Sequence, residues 1–188
     1  MRHFLVLFDT LPIDKTSVKA GKNSPEVVSA CRCVNVGLFL SGDLRRDVTV
    51  SIATGVPNDL EIITFPGETL RRVSPDERSI SFFILKALSI STSLHNNTSK
   101  TMDNGVVVQR VGLKDFLKSI STEVIIADSD EHTMYQLSSK KTDLLLLYDN
   151  REERIPVESL GLSKYEISYR PSHPERFILD VNLESDNA

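Results

Sequence analysis

Short apolar runs alternate with stretches of helical spacing from one end of this chain to the other. No other feature constrains its fold as strongly. His3–Phe8, Leu60–Phe65, Val106–Gln109, Glu123–Ala127 and Leu144–Tyr148 have strand length, and Tyr165–Tyr169 is a candidate last strand. Val48–Ala53 alternates Val and Ile with Thr and Ser, as a half-exposed strand does. Between them, Glu26–Ser41 carries Val27, Val28, Cys31, Val34 and Leu38 at helical spacing. Strands interleaved with helices predict an α/β fold with a mainly parallel sheet flanked by helices. No apolar run approaches the ~20 residues that cross a bilayer, so a membrane is not an expected partner.

Local signals refine the pattern. Ser74 as N-cap, Pro75 at the first helical position and Glu77 closing a capping box predict a helix over Pro75–Ile90. A short helix is expected near Leu113–Ile120 and a last one over Glu175–Leu183, while Pro12–Pro25 and Ser91–Asn104 read as polar loops. The first residues lack a signal-peptide pattern, which leads to the expectation of a cytoplasmic protein. With 188 residues, one domain over 1–188 is expected.

Few catalytic signatures are present. There is no G-x-G-x-x-G, phosphate-loop lysine or G-x-S-x-G pattern. Cys31 and Cys33 are the only cysteines, which excludes a disulfide scaffold; they read as buried helix residues rather than metal ligands. Asp128, Asp130 and His132 follow a strand and could hold a cation, although a solvated loop explains them too. No metal site is expected.

Charge is unevenly spread. Residues 1–142 hold 17 Lys and Arg against 16 Asp and Glu; residues 143–188 hold 5 against 10. An RNA-binding surface would therefore lie in the first part. Arg45 and Arg46 end the Cys31 segment, Arg71 and Arg72 precede the capped helix, and Arg78 falls in its first turn. Guanidinium groups beside helix termini suit phosphate, yet helix-end ion pairing with Asp43, Asp47 and Asp76 would explain the same residues.

Three longer motifs, in order, carry a resemblance. They are Cys31-Arg32-Cys33-Val34 with Phe39-Leu40-Ser41 and Asp43-Leu44-Arg45-Arg46-Asp47-Val48; Glu68-Thr69-Leu70-Arg71-Arg72-Val73-Ser74-Pro75-Asp76-Glu77-Arg78; and Gly105-Val106-Val107-Val108-Gln109-Arg110-Val111-Gly112-Leu113. Over about residues 1–120 the chain resembles the archaeal tRNA pseudouridine-54 N1-methyltransferases of the SPOUT superfamily. The resemblance implies a C-terminal trefoil knot, S-adenosylmethionine as methyl donor, tRNA as partner and a homodimer. The arginines Arg45, Arg46, Arg71, Arg72 and Arg78 would then contact RNA. Phe177, Ile178, Val181 and Leu183 would form the apolar stripe of the final helix that meets its mate.

Residues 121–188 diverge from that family. The resemblance places the donor pocket at Ala127, Tyr148, Asp149, Asn150 and Leu179, but Tyr148 stands where the family has a glycine. Ala127 stands where it has a leucine, and Leu179 or a neighbour where it has a cysteine. Either the pocket has been rebuilt, or the chain is a catalytically inactive RNA-binding or protein-interaction module derived from the same fold. No residue is assigned as proton acceptor.

Overall fold

The computed structural model describes residues 1–120, 123–131 and 143–186. Its elements are β1 (Arg2–Phe8), α1 (Lys15–Ala20), α2 (Pro25–Leu38), β2 (Phe39–Leu40), β3 (Asp43–Leu44), β4 (Val48–Val56), β5 (Asp59–Pro66), α3 (Glu77–Ser91), β6 (Thr98–Thr101), β7 (Val107–Val111), α4 (Leu113–Ser119), β8 (Glu123–Ser129), β9 (Leu144–Asp149), β10 (Glu166–Tyr169) and α5 (Pro174–Asp186). Eight strands form one sheet in the order β10-β8-β9-β1-β4-β5-β7-β6, with β2 and β3 pairing separately as a small hairpin. The four pairings from β10 to β4 are parallel; those among β4, β5, β7 and β6 are antiparallel.

The central parallel strands are apolar on both sides because both faces of the sheet are covered. Phe4, Val6 and Phe8 of β1 point toward α2, α3 and α5, whereas Leu5 and Leu7 point toward α4 and a short 3₁₀-helix, Val157–Leu160. Val48 to Thr54 of β4 are all buried, so the expected half-exposed strand is instead a central one. The helix α5 packs on α2, and the Asn182 side-chain amide donates to the carbonyls of Val36 and Gly37, both at 3.2 Å. Those carbonyls lie in the last turn of α2, where orphan acceptors need partners.

Three local expectations change. The helix α3 starts at Glu77 with Asp76 as its cap, accepting from the Ser79 amide at 2.8 Å, while the Ser74 amide donates to Ser79 Oγ at 3.0 Å. Asp76 is the competing cap two residues on, and its carboxylate is a stronger acceptor than a serine hydroxyl. The first expected loop holds α1, capped by Asp14 and ended by Gly21 at φ 64°. The second holds β6, an edge strand exposed along its length; among the described residues it pairs with β7 alone, and it has no apolar face to announce it. The connection from β8 to β9 contains residues 132–142, which lie outside the described residues together with His132.

Candidate active site

The parallel strands β1 and β9 end side by side, and a crevice opens beyond their carboxyl ends. Here the chain leaves β1 toward β4 on one side while β9 arrives from the other, the kind of reversal where open α/β sheets bind ligands. Two adjoining cavities of about 500 and 400 Å³ share Glu26 and Asn150 as lining residues. Each is of small-molecule size. Asp9 and Glu152 line one; Ser29, Arg32, His173 and Glu175 line the other.

Helix starts fix this geometry. Ser24 caps α2 and Pro25 follows it, while Pro174 opens α5, so two N-terminal turns face one opening. Glu175 ties the turns together by accepting from Ser29 Oγ at 3.0 Å. The Asn150 amide donates to the Leu7 carbonyl and the Glu152 amide to Asp9 Oδ2, at 2.9 and 2.8 Å. These bonds pin the loop after β9 against the end of β1. Carboxylates outnumber cations along the crevice, which favours a ligand carrying positive charge; the helix starts favour a carboxylate group on it.

Of the five residues assigned to the donor pocket, Asn150 alone lines this crevice. Ala127 is buried in β8 within the core. Tyr148 is also fully buried, its ring 5.9 Å from that of Phe177 and its hydroxyl bonded to the Pro171 carbonyl. Its side chain packs beneath the crevice, under α5, so the residue that replaces glycine does not fill the opening. Asp149 accepts two bonds from the Arg151 guanidinium and one from the Ile155 amide, which bends the chain after β9. Leu179 lies on the outer face of α5 and is 36% exposed.

Arg170 completes this corner, its guanidinium 4.5 Å from the Tyr148 ring centroid and donating to the Asp149 carbonyl at 3.0 Å. Sequence reasoning missed Asp9, Glu26, Glu152 and the 173–175 turn. The available signal was a carboxylate directly after the first strand, together with a proline opening each flanking helix.

The arginines divide. Arg45 pairs with Asp186 at 2.6 Å and its side chain is 11% exposed. Arg46 is exposed and donates to the Gly67 carbonyl at 3.0 Å. Gly67 is required there: a Cβ would stand 2.0 Å from the Arg45 carbonyl oxygen. Arg71, Arg72 and Arg78 are exposed and enter no ion pair among the described residues. The expected acidic partners are used elsewhere: Asp47 by Arg2, Asp43 by the Leu44 amide and Asp76 by α3. Arg46 and Pro75 line one shallow cavity, so the β2–β3 hairpin adjoins the 71–78 segment. Arg72 holds φ 57°, which costs a residue with a Cβ on the order of 1 kcal/mol.

Cys31, Cys33 and Asp128 have structural roles. Cys31 and Cys33 are buried free thiols, and burial pushes the Cys31 thiol up to about 12. Asp128 pairs with Arg154.

Comparison with known proteins agrees with this architecture. A family model described as "Putative SAM-dependent RNA methyltransferase" matches residues 1–143. The tRNA (pseudouridine(54)-N(1))-methyltransferase of Methanocella arvoryzae is 30% identical over 99% of both chains. That of Methanococcus aeolicus is 32% identical over 84% of this chain and 83% of its own. The crystal structure of Archaeoglobus fulgidus Nep1 bound to S-adenosylhomocysteine superposes with a TM-score of 0.59 at 14% identity, covering 99% of this chain and 97% of that one.

Proposed function

Because this chain belongs to the SAM-dependent RNA methyltransferase family, we propose that it moves a methyl group from S-adenosylmethionine to N1 of the pseudouridine at tRNA position 54. The observation that carries this reading is the crevice beyond β1 and β9. Its volume suits a nucleoside-sized donor. Asp9, Glu26 and Glu152 complement a sulfonium cation, and the N-terminal turns of α2 and α5 suit the donor's carboxylate. The residues present fit the donor, and Asn150 and Ser29 add neutral polar groups for its hydroxyls. When bound, the donor supplies an electrophilic methyl group.

The protein's own task is to hold the two reactants in line and to take up the proton that the target nitrogen loses. Carboxylates in the crevice supply acceptors for that proton. Arg46, Arg71, Arg72 and Arg78 form the RNA-facing surface, because they are exposed and no acid among the described residues claims them. Arg45 instead anchors the end of α5. The chain over 1–188 acts as one domain, in the cytoplasm where tRNA is found. The trefoil knot of related folds agrees with β10 standing beyond β8 while α5 returns to α2 on the far side of β9.

The homodimer rests on a surface that keeps only Leu183 of the stripe expected. Phe177, Ile178 and Val181 are buried in the protein's own core, at 3% exposure or less. The exposed apolar residues include Leu40 just beyond α2 and Leu179 and Leu183 on α5, 46%, 36% and 49% exposed. A second copy would cover them.

Calorimetric titration with S-adenosylhomocysteine tests the crevice. Saturable binding that weakens in Asn150→Ala is expected. A flat titration at millimolar ligand would instead identify a catalytically inactive RNA-binding or protein-interaction module.

A further inference from the structure

A second cavity of about 450 Å³ opens on the other face of the sheet, at the amino end of β8. The crevice beyond β1 and β9 lies past the carboxyl ends of the strands, and β8 alone spans roughly 20 Å at 3.3 Å per residue. The two openings are therefore separate sites. The floor of this second cavity is apolar: Leu117, Val124 and Leu160 are each 4% exposed or less and belong to the core beneath α4. Its rim is cationic. Lys114 and Lys118 come from successive turns of α4, and Gly161 at φ 71° turns the chain so that Ser163 and Lys164 complete the edge.

These lysines stand apart from the other cations nearby. In residues 143–188, Arg151, Arg154 and Arg176 pair with Asp149, Asp128 and Asp180, while Arg170 lies on the Tyr148 ring. Lys114, Lys118 and Lys164 enter no ion pair among the described residues. Glu123 is the one acid among the lining residues, and it is engaged in an interaction of its own. Three ammonium groups against the one carboxylate of Glu123 leave the described rim net positive around an apolar floor, which suits a flat ring bearing an anion. The rim carries no guanidinium fork, so it would hold a phosphate as a point charge.

Building on the RNA-modifying reading above, we propose that this cavity binds one nucleoside phosphate unit, the ring on Leu117, Val124 and Leu160 and the phosphate among Lys114, Lys118 and Lys164. As the protein acts on RNA, the unit belongs to the tRNA, held away from the reacting base. A free nucleotide has the same chemistry and is the other source to distinguish.

The test is the triple variant K114Q/K118Q/K164Q, whose exposed side chains leave the core intact. Uridine 5′-monophosphate should bind the parent protein and fail to bind the variant. For tRNA, the slope of log affinity against log salt should flatten by about one unit for each phosphate the variant no longer neutralises. Affinity for S-adenosylhomocysteine should not change. Loss of nucleotide binding with an unchanged tRNA slope would assign the cavity to free nucleotides. Unchanged behaviour toward both would overturn the proposal. If the parent bound neither tRNA nor S-adenosylhomocysteine, the functional reading would fail, and the nucleotide titration would still decide this cavity.

Discussion

The Tyr148 hydroxyl donates a 2.5 Å hydrogen bond to the Pro171 carbonyl, tying the end of β9 to the turn that enters α5. Both neighbours reinforce the tie: Arg170 stacks on the ring and Phe177 packs against it. One wall of the crevice is the 173–175 turn, so this bond sets where that wall stands. Tyr148→Phe should cost about 1–2 kcal/mol, because a mostly buried carbonyl loses its donor while the ring remains. The shift of a urea midpoint measures the cost, and a few-fold loss in S-adenosylhomocysteine affinity should accompany it. Tyr148→Gly, which restores the family residue, should cost roughly 3–5 kcal/mol through the cavity it leaves.

Acid should weaken the fold through His3. Its ring accepts or donates a 2.7 Å bond with Ser51 Oγ and stands edge-on to Phe116, and burial lowers it from 6.5 to about 4. The unfolded chain takes up this proton first. The contribution is therefore complete above pH 6.5 and is lost as the pH falls toward 4. At full extent the loss is on the order of 3 kcal/mol. Urea midpoints at pH 7.5 and 5 should converge in His3→Gln relative to the parent protein.

The two arginines of the 45–46 pair should separate by assay. Arg45→Ala should lower stability by about 1 kcal/mol through loss of its partly buried pair with Asp186, and a double-mutant cycle with Asp186→Ala should show coupling. Arg46→Ala and Arg72→Ala should leave the melting temperature nearly unchanged or, for Arg72, slightly altered. Each should instead flatten the salt dependence of tRNA binding by about one unit.

Light scattering should give twice the chain mass of 21.0 kDa at tens of micromolar protein. Leu179→Glu places a charge on the outer face of α5 without entering the core, and should return the mass to that of one chain. A monomeric parent protein would remove the dimer from the account.

Most of the fold was legible because burial imposes its own period. The strands β1, β4, β5 and β7 to β10 and the α2 and α5 helices follow from apolar spacing, with ends displaced by a few residues, whereas the β2–β3 hairpin begins inside the segment read as helical. The strand β6 escaped because Thr98-Ser99-Lys100-Thr101 has no buried face. The α3 start moved because Ser74 and Asp76 are both able caps, and only the packed chain selects one. The site was less legible. Tyr148 in place of glycine left a rebuilt pocket and an inactive module both open, since no local pattern says which way a strand-end side chain turns. In the folded chain it turns toward Phe177 and leaves the crevice open. Asp9 and Glu152 meet only because β1 and β9 are neighbours, a pairing between residues more than 140 apart in sequence.

The most direct test is methyl transfer itself. The purified protein is incubated with S-adenosylmethionine and tRNA carrying pseudouridine at position 54, and the digested nucleosides are weighed by mass spectrometry. One added methyl group is expected on that pseudouridine, none on tRNA with uridine there, and a large loss of product when Asn150 is replaced by alanine. A folded, tRNA-binding protein that leaves position 54 unmethylated would contradict the proposed function.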